Sequence, residues 1–384
     1  MRILFAHDHV FREHRGAHAT SGNFTDAVLR RYTSTLGPLT FVGRVRRDSQ
    51  PAPGLSPITE PDVRIVASGG PLAAPRVVDA EVARADAVIV RLPSRVGLLA
   101  WWAARRHGKP TLVEVVGCAY DAYRHHSAAG RALAPFFYAA TRAAVRRSSH
   151  VLYVTSRFLQ RRYPTGGVAI ACSDVVLPAP REGVLERRLR QIRSRDPRSP
   201  LLLCTVGAIH VAYKGHEHVL RAQRLLKDRG VPTHYWIIGG GDPARLEALV
   251  AELGLQDDVT FWGSLPHDDV LAKLAVSDLY VQPSRVEGLP RALLEAMSTG
   301  APALGTRVGG IPELLSGREL FAPGDAAGLA DRITALDAAE LERMARENHA
   351  LTSSQYAPDV LAERRRGFLE EFGRYASAAE GTPG

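Results

Sequence analysis

Two carboxylates in one short stretch are the residues whose spacing most suggests chemistry. Glu287 and Glu295 lie eight positions apart in the segment SRVEGLPRALLEAMSTG. Residues 291–299 are mostly strong helix formers, Pro290 is placed for the first helical position, and Gly300 is placed for the C-terminal cap. The pattern therefore predicts a short helix that contains Glu295 and is preceded by a loop that carries Glu287.

The start of this predicted helix has the properties of an anion site. Free backbone N–H groups and the positive end of the helix dipole point at whatever lies in front of it, which suits a phosphate. The two carboxylates are unsuited to the anion itself, but they can accept hydrogen bonds from sugar hydroxyls. A phosphate site with hydroxyl acceptors beside it indicates a sugar nucleotide as the ligand.

Length and composition indicate a globular protein of a reducing compartment. A chain of 384 residues exceeds one ordinary core and favours two domains, and 45% hydrophobic content argues against disorder. Cys118, Cys172 and Cys204 lie far apart without metal-ligand spacing. The N-terminus shows no signal-peptide pattern, and the longest apolar run, residues 96–104, is far shorter than the roughly 20 residues of a membrane span. These features predict a cytoplasmic protein.

The net charge of +9 favours anionic partners. Nucleotide phosphates and anionic lipid both fit, and an arginine-rich solvated surface without a specific partner is the alternative. The sequence contains no nucleic-acid-binding motif, so no nucleic-acid partner is expected.

Strand-like and helix-like segments alternate through both halves of the chain, which predicts doubly wound parallel sheets. We place an N-terminal Rossmann-like domain at 1–180, a charged linker at 181–200 and a second Rossmann-like domain at 201–355. A helix at 356–384 is expected to cross back to the first domain. Within the first domain, residues 7–22 are interpreted as a polar loop after a short first strand.

Four segments of the second half carry a family resemblance. They read VGAIHVAYKGHE at 206–217, WIIGGGD at 236–242, VTFWGSLPHDDV at 259–270, and the long run at 277–315 that contains both glutamates. They resemble a retaining GT-B glycosyltransferase of family 4. The fold implied is α/β, with two Rossmann-like domains facing each other across a cleft. Residues 114–127 and 151–164 resemble, more loosely, a bacterial polysaccharide-assembly branch of that family.

The resemblance implies roles for residues of the second domain. Lys214 would neutralise charge on the leaving diphosphate, Glu287 would bind hydroxyls of the transferred sugar, and Glu295 would bind the ribose. An arginine is common just after Gly207 in the family, but this chain has Ala208. Arg285, Arg291 and Arg307 are the candidates to replace it. The implied donor-binding set is Gly207, Lys214, Gly240, Gly241, Leu265, Glu287, Gly288, Leu289, Arg291 and Glu295.

The first domain departs further from the family. A loop from Gly16 to Asn23 would close over the donor phosphate and receive the acceptor, although its glycines, Gly16 and Gly22, are not adjacent as is common. Many family members place a histidine near the position that Val116 occupies in this chain, and here that histidine is absent. Asp121 and His126 are the nearest candidate catalytic residues, with a structural histidine as the alternative reading of His126. The acceptor-side candidates are His7, Asp8, Gly16 and Gly22.

A basic stretch lies near an apolar helix that contains Trp101 and Trp102. It could contact an anionic membrane surface peripherally, or it could be a solvated face beside a buried helix. The stretch comprises Arg142, Arg146, Arg147, Arg157, Arg161 and Arg162.

The function implied by the resemblance is transfer of a sugar, with retained configuration, from a nucleoside-diphosphate sugar, UDP-sugar first, to a hydroxyl. The acceptor would be a glycan, a lipid-linked molecule or a small natural product. No cofactor is expected, and no metal, since the chain has no Asp-x-Asp motif. Two alternatives stay open: a non-hydrolysing sugar-nucleotide epimerase, and a sugar-nucleotide binder that has lost catalysis, as Ala208 and Val116 would suggest. A dehydrogenase would leave the glutamate pair without a role.

Overall fold

The structure, a computed structural model, describes residues 1–22, 24–50, 54–124, 128–179 and 182–380. The chain divides into two compact units. Unit 1 comprises Met1–Ser173 together with the chain from Ala362 onward, and unit 2 comprises Asp174–Leu361. Residues 182–200, within the span predicted as a linker, therefore belong to unit 2.

Unit 1 is built on one sheet with helices on it. Its strands are β1 (Ile3–His14), β2 (Ala17–Thr20), β3 (Leu39–Arg47), β4 (Ser56–Pro57), β5 (Val63–Ala67), β6 (Ala87–Leu92), β7 (Thr111–Val115), β8 (His150–Tyr153) and β9 (Val168–Ala171). The helices between them are α1 (Asp26–Leu36), α2 (Ala74–Arg84), α3 (Arg95–Arg106), α4 (Ala119–Arg124), α5 (Ala128–Arg147) and α6 (Phe158–Arg162).

The parallel part of this sheet has the neighbour order β5-β3-β1-β6-β7-β8-β9. The order reverses direction between β1 and β6, which is the switch point of a doubly wound sheet. Hydrophobic runs such as AVIVRL in β6 fit strands covered on both faces.

The interpretation of residues 7–22 as a loop was wrong. Strand β1 continues to His14 and turns at Arg15 and Gly16 into β2, which pairs with it in antiparallel fashion. Both turn residues have positive φ, 51° and 83°, as a two-residue hairpin turn of type I′ requires. The polar strand is stabilised by partners distant in sequence, among them Asp48, whose carboxylate accepts from the Arg12 guanidinium at 2.5 Å.

Unit 2 has a second sheet, made of parallel strands in the order β12-β11-β10-β13-β14-β15. The strands are β10 (Leu201–Val206), β11 (Thr233–Ile238), β12 (Val259–Gly263), β13 (Leu279–Gln282), β14 (Ala303–Thr306) and β15 (Leu320–Phe321). The helices are α7 (Val184–Ser194), α8 (His216–Asp228), α9 (Ala244–Glu252), α10 (His267–Val276), α11 (Arg291–Ser298), α12 (Ala326–Thr334) and α13 (Ala338–Gln355). The prediction of two Rossmann-like parallel-sheet domains is confirmed, and the switch point here lies between β10 and β13.

Helix α7 lies in the span predicted as a linker. Its Leu189 and Ile192 pack with Leu341 and Ala345 of α13 in a small apolar cluster. Arg188, fully buried, donates to the carbonyl oxygens of Leu274 and Ser277 at 2.9 and 2.6 Å. A cation at the C-terminal end of α10 is favourable because the last carbonyls of a helix lack partners.

The last helix, α14 (Pro358–Glu380), packs in unit 1 from Ala362 onward. Its buried positions recur at helical spacing, including Phe368 and Phe372, which lie against the His150 ring. Arg365, also buried, donates to the Ser173 carbonyl at 2.9 Å. This spacing ties the C-terminal segment to the sheet of unit 1.

Candidate functional site

The predicted donor-site residues follow the carboxyl ends of adjacent strands in unit 2. Gly207 follows β10, Gly240 and Gly241 follow β11, Leu265 follows β12, and the loop with Glu287 follows β13. In open α/β sheets this edge holds ligands, and the switch point is the preferred place. The fold therefore gathers these segments at one edge of one sheet.

An ion pair spans the switch point. Lys214 lies in a 3-10 turn, Ala212–Lys214, after β10, and Glu287 lies in the loop after β13. The ammonium Nζ is 2.7 Å from Glu287 Oε1, and both side chains are mostly buried, at 24% and 11% exposure. A cation and a hydroxyl acceptor are thus held side by side where a ligand would bind.

Glu287 is fixed by more than the lysine. The same Oε1 accepts from Ser284 Oγ at 2.8 Å and from Gln282 Nε2 at 3.2 Å. Gln282 also donates to Ser284 Oγ at 2.8 Å and accepts from the buried Tyr280 hydroxyl at 2.8 Å. Oε1 is thereby saturated. Within the described residues no group forms a hydrogen bond or ion pair with Oε2, so this oxygen is suited to accept from a ligand hydroxyl.

Helix α11 begins at Arg291, as predicted, and Pro290 occupies the N-cap, one position before the predicted one. The preceding loop is braced by the turn after β14, because Gly310 N donates to the Gly288 carbonyl at 2.7 Å. Gly309 has φ of 57°, and a Cβ there would collide with the Glu287 carbonyl oxygen. This turn therefore fixes the loop that presents Glu287.

Glu295 lies on α11, and its Oε1 is 3.4 Å from His267 Nε2, at the start of α10. Burial raises the pKa of the Glu295 carboxyl, and nearby His267 and Arg291 partly offset the rise. Burial leaves the ionised carboxylate with little solvent around it. A ligand that donates hydrogen bonds to the carboxylate would therefore stabilise the ionised form.

The glycines after β11 allow close backbone approach. Gly241 has φ of 126°, and a Cβ there would collide with the His210 ring. Ile209 N donates to the Gly240 carbonyl at 3.1 Å, and Gly207 N donates to the Ile238 carbonyl at 2.8 Å. The turns after β10 and β11 are therefore bound to each other through backbone hydrogen bonds.

The three arginines considered as a second cation differ in their surroundings. Arg285 Nε donates to His218 Nε2 at 3.1 Å. Arg291 is exposed in the first turn of α11, and Arg307 is exposed just after β14. Burial lowers the pKa of His218, so the ring is suited to accept from Arg285. Arg285 is thereby held by an imidazole beside the Lys214 turn, whose Tyr213 carbonyl accepts from Arg285 N at 2.7 Å.

Trp262, at the end of β12, is partly buried against other side chains of unit 2. Its ring lies 5.5 Å from that of Trp236, and Lys273 Nζ lies 3.4 Å from the Trp262 ring centroid. The lysine thus covers one face of the indole in a cation–π contact. Leu265, partly buried, follows β12 at the same sheet edge.

The acceptor-side candidates of unit 1 are more engaged than expected. Asp8 accepts from the backbone N–H groups of Arg95 and Val96 at 2.6 and 3.1 Å, so its carboxylate caps α3. His7 is partly buried against Phe24 and near Arg91, and desolvation lowers its pKa to about 3. His7 is therefore neutral at physiological pH. Gly16 lies in the hairpin turn and Gly22 in the segment after β2, whereas Asn23, the last residue of the predicted loop, lies outside the described residues.

Asp121 and His126 were the candidates for the reacting centre. Asp121, in α4, is 3.2 Å from Arg162 NH1. The same guanidinium donates to Cys118 Sγ at 2.9 Å. His126, like His125, lies outside the described residues. Asp121 therefore belongs to a side-chain cluster with Cys118 and with Arg162 of α6.

The sequence interpretation missed the network around Glu287 and the partner of Glu295. Gln282 ends the buried strand β13, and Ser284 follows it two positions later. Polar residues at the end of a buried strand are a sequence signal that could have indicated this network. His267 gave no comparable signal, because nothing in SLPHDDV relates it to Glu295 before the fold is known.

The described ranges contain no group of three or more His, Cys, Asp or Glu side chains that could hold a metal ion. No helix in the described part of the chain is long and apolar enough to cross a membrane.

Two Rossmann-like parallel-sheet units are the architecture of GT-B glycosyltransferases. The chain belongs to the group 1 glycosyl transferases, whose family model matches residues 200–338. It is 31% identical over 281 residues to alpha-D-kanosaminyltransferase of Streptomyces kanamyceticus, covering 69% of this chain and 72% of that protein. It is a glycosyltransferase.

Other relatives include proteins of polysaccharide biosynthesis. The chain is 26% identical over 287 residues to protein CapJ of Staphylococcus aureus, covering 74% of this chain and 68% of CapJ. It is 32% identical over 186 residues to the putative colanic acid biosynthesis glycosyltransferase WcaL of Escherichia coli K12, covering 46% of each. Among solved structures, Anabaena HepE in complex with UDP-glucose superposes with a TM-score of 0.63 at 16% identity, covering 98% of this chain and all of that one.

Proposed function

We propose that the chain is a retaining, metal-independent hexosyltransferase of family 4 that uses a UDP-sugar. The observation that carries this proposal is the Lys214–Glu287 pair, 2.7 Å apart across the switch point of the sheet in unit 2. The lysine cation suits the diphosphate of a nucleotide sugar, and the fixed carboxylate beside it suits the hydroxyls of the sugar. The UDP-glucose complex of HepE supports UDP as the first donor to test.

In this mechanism each residue has one task. Lys214 moves from Glu287 to the diphosphate and stabilises the negative charge that develops on the leaving oxygen. The first N–H groups of α11 add to that stabilisation. Glu287, kept in place by Ser284 and Gln282, accepts from sugar hydroxyls and orients the anomeric carbon.

The acceptor hydroxyl then attacks from the face that the diphosphate leaves. The bond from the anomeric carbon to the diphosphate oxygen breaks, the bond to the acceptor oxygen forms, and the acceptor proton passes to the departing diphosphate. This route keeps the anomeric configuration and requires no protein base. For the acceptor we propose a hydroxyl of a polysaccharide precursor, glycan or lipid-linked, with a small natural product second; WcaL and the kanosaminyltransferase are relatives of the two kinds. The proposed setting is the cytoplasm, in keeping with three buried free cysteines.

A donor screen tests the function. The protein is incubated with UDP-, GDP- and dTDP-sugars, with and without sugar acceptors, and release of each nucleoside diphosphate is measured. We expect UDP release that rises when an acceptor is present, and a product with the anomeric configuration of the donor by NMR. Conversion of the donor sugar without any acceptor would identify an epimerase instead. Donor binding without turnover of any acceptor would identify an inactive binder.

Chelator tests the metal independence. We expect the transfer rate to be unchanged after dialysis against EDTA, because Lys214 and helix N-terminal N–H groups supply the positive charge that a metal would otherwise supply. A rate lost in EDTA and restored by Mg²⁺ or Mn²⁺ would contradict this part of the proposal, while leaving sugar transfer itself intact.

The raised pKa of Glu295 predicts a pH dependence of UDP binding. In the free protein the carboxyl holds its proton to a higher pH than an ordinary glutamate. Ribose hydroxyls favour the ionised form, so binding should release a proton and affinity should rise with pH just above the usual glutamate range. Calorimetry in buffers of different ionisation enthalpy measures this release. Glu295→Gln should abolish it and weaken UDP about tenfold. Unchanged proton release in that variant would exclude Glu295 as the group that loses the proton when UDP binds.

A further inference from the structure

Unit 1 has a stretch of extreme charge. Residues 122–173 contain no aspartate and no glutamate. The same residues contain eight arginines, which nearly equals the net charge of +9 of the whole chain: Arg124, Arg131, Arg142, Arg146, Arg147, Arg157, Arg161 and Arg162. The positive charge of the protein is therefore concentrated in one segment, whereas elsewhere acids and bases balance.

Helix α5 carries the centre of this charge on its exposed side. Arg131, Arg142, Arg146 and Arg147 are all exposed, and none of them forms an ion pair with a residue that the structure describes. Helices α3 and α4 pack against α5. The one carboxylate that they contribute, Asp121, is paired with Arg162. The arginines on α5 thus have no compensating negative charge from the helices beside them.

The same side of α5 also exposes large apolar side chains. Phe136 is 65% exposed and Leu133 is 49% exposed. The neighbouring Phe137, by contrast, stacks on Tyr123 with ring centroids 3.8 Å apart. Phe137 anchors the helix to the protein, while Phe136 points away from it. Exposed apolar side chains of this size in a group indicate an interaction surface.

The two kinds of side chain form adjoining stripes, except that Arg147 lies in angle between Phe136 and Leu133. At 100° per residue, Arg131, Arg142 and Arg146 lie within about 60° of one another around the helix axis. Ala132, Phe136 and Leu133 follow on the adjacent 100° of the same exposed side. We call the seven residues Arg131, Ala132, Leu133, Phe136, Arg142, Arg146 and Arg147 the α5 face.

We propose that the α5 face docks on an anionic phospholipid surface. A surface of this kind accepts both components: phosphate headgroups pair with the arginines, and the headgroup–acyl boundary takes up Phe136 and Leu133. A nucleic acid or a soluble polyanion would pair with the arginines but would leave the apolar stripe exposed to water. The joint presence of both stripes is what favours lipid. The inference concerns unit 1 alone and does not depend on the transfer reaction.

Sedimentation with vesicles tests the proposal on the full chain. We expect binding to vesicles of phosphatidylcholine mixed with phosphatidylglycerol and none to phosphatidylcholine alone. Added salt should weaken the binding, because the attraction is electrostatic and screened over about 10 Å at 0.1 M. Equal binding to both vesicles, or to neither at low salt, would overturn the proposal.

Matched variants identify the surface. Arg142→Glu with Arg146→Glu should weaken vesicle binding by at least about tenfold, and Phe136→Ser should weaken it about tenfold. Two control variants alter exposed side chains outside the α5 face and should bind like the wild type: Arg190→Glu on α7, and Leu72→Ser in unit 1, where Leu72 is 96% exposed.

Two further readouts make the result decisive. Circular dichroism should show unchanged helix content in every variant, because each altered side chain is exposed; transfer activity in solution, without vesicles, should also be retained. If heparin binds the wild type as tightly as anionic vesicles do, and Phe136→Ser leaves vesicle binding unchanged, the face binds polyanions in general and the lipid proposal is wrong.

Discussion

Replacing Glu287 with alanine is expected to lower kcat/KM for sugar transfer by about 10²- to 10³-fold, since charged hydrogen bonds contribute about 1.5–3 kcal/mol each. The variant loses the carboxylate that would bind the sugar hydroxyls. It also frees Lys214, Ser284 and Gln282, which all donate to Glu287 Oε1 in the wild type. Steady-state kinetics with saturating and limiting UDP-sugar measure the effect.

Affinity for UDP itself separates this role from a general collapse of the site. UDP lacks the transferred sugar, so Glu287→Ala should change its Kd only a few-fold. Glu295→Gln should show the opposite pattern, with weaker UDP binding and a smaller effect on the rate at saturation. Glu252→Ala, an exposed glutamate on α9 of the same unit, is the control and should match the wild type. Wild-type kinetics in Glu287→Ala would refute the proposed role of the pair.

The parts of the site that could be predicted are those with local signals. Helix α11 was predicted because strong helix formers stand between a proline and a glycine, and the structure places it at Arg291–Ser298. The alternation of strands and helices likewise predicted both parallel sheets. Glu287 was identified from its place in the loop before this helix, and Lys214 through the resemblance. The fold brings the two into contact although 73 positions separate them.

The parts that could not be predicted depend on distant partners. The polar run HDHVFREH is typical of a loop, but in the structure it belongs to strand β1. Its polar side chains form hydrogen bonds with residues far along the chain. Asp8 caps a helix that starts 87 positions later, at Arg95. Asp121 finds its cation in Arg162 of α6. In each case the sequence suggested a functional role for the polar group, because its structural partner lies too far along the chain to be recognised from the sequence.

Replacing Lys214 with methionine is expected to lower kcat by about 10²- to 10³-fold, the range found for removal of one group that stabilises developing negative charge. Methionine keeps an unbranched stem, so packing over Gly207, where the lysine stem lies, should be retained. Glu287 loses one of three donors to Oε1 but keeps Ser284 and Gln282. The variant therefore removes the charge while leaving the sugar-orienting carboxylate in place.

The comparison that decides this role uses both residues together. If Lys214 acts on the leaving diphosphate, Lys214→Met should weaken UDP binding as well as kcat, whereas Glu287→Gln should not. Because the two side chains are in contact, their effects on kcat/KM should be non-additive, with the double variant less impaired than the product of the single losses. Lys227→Met on α8, which removes a lysine paired with Asp258, is the matched control and should transfer sugar at the wild-type rate. Full additivity together with unchanged UDP affinity in Lys214→Met would show that the lysine only positions Glu287.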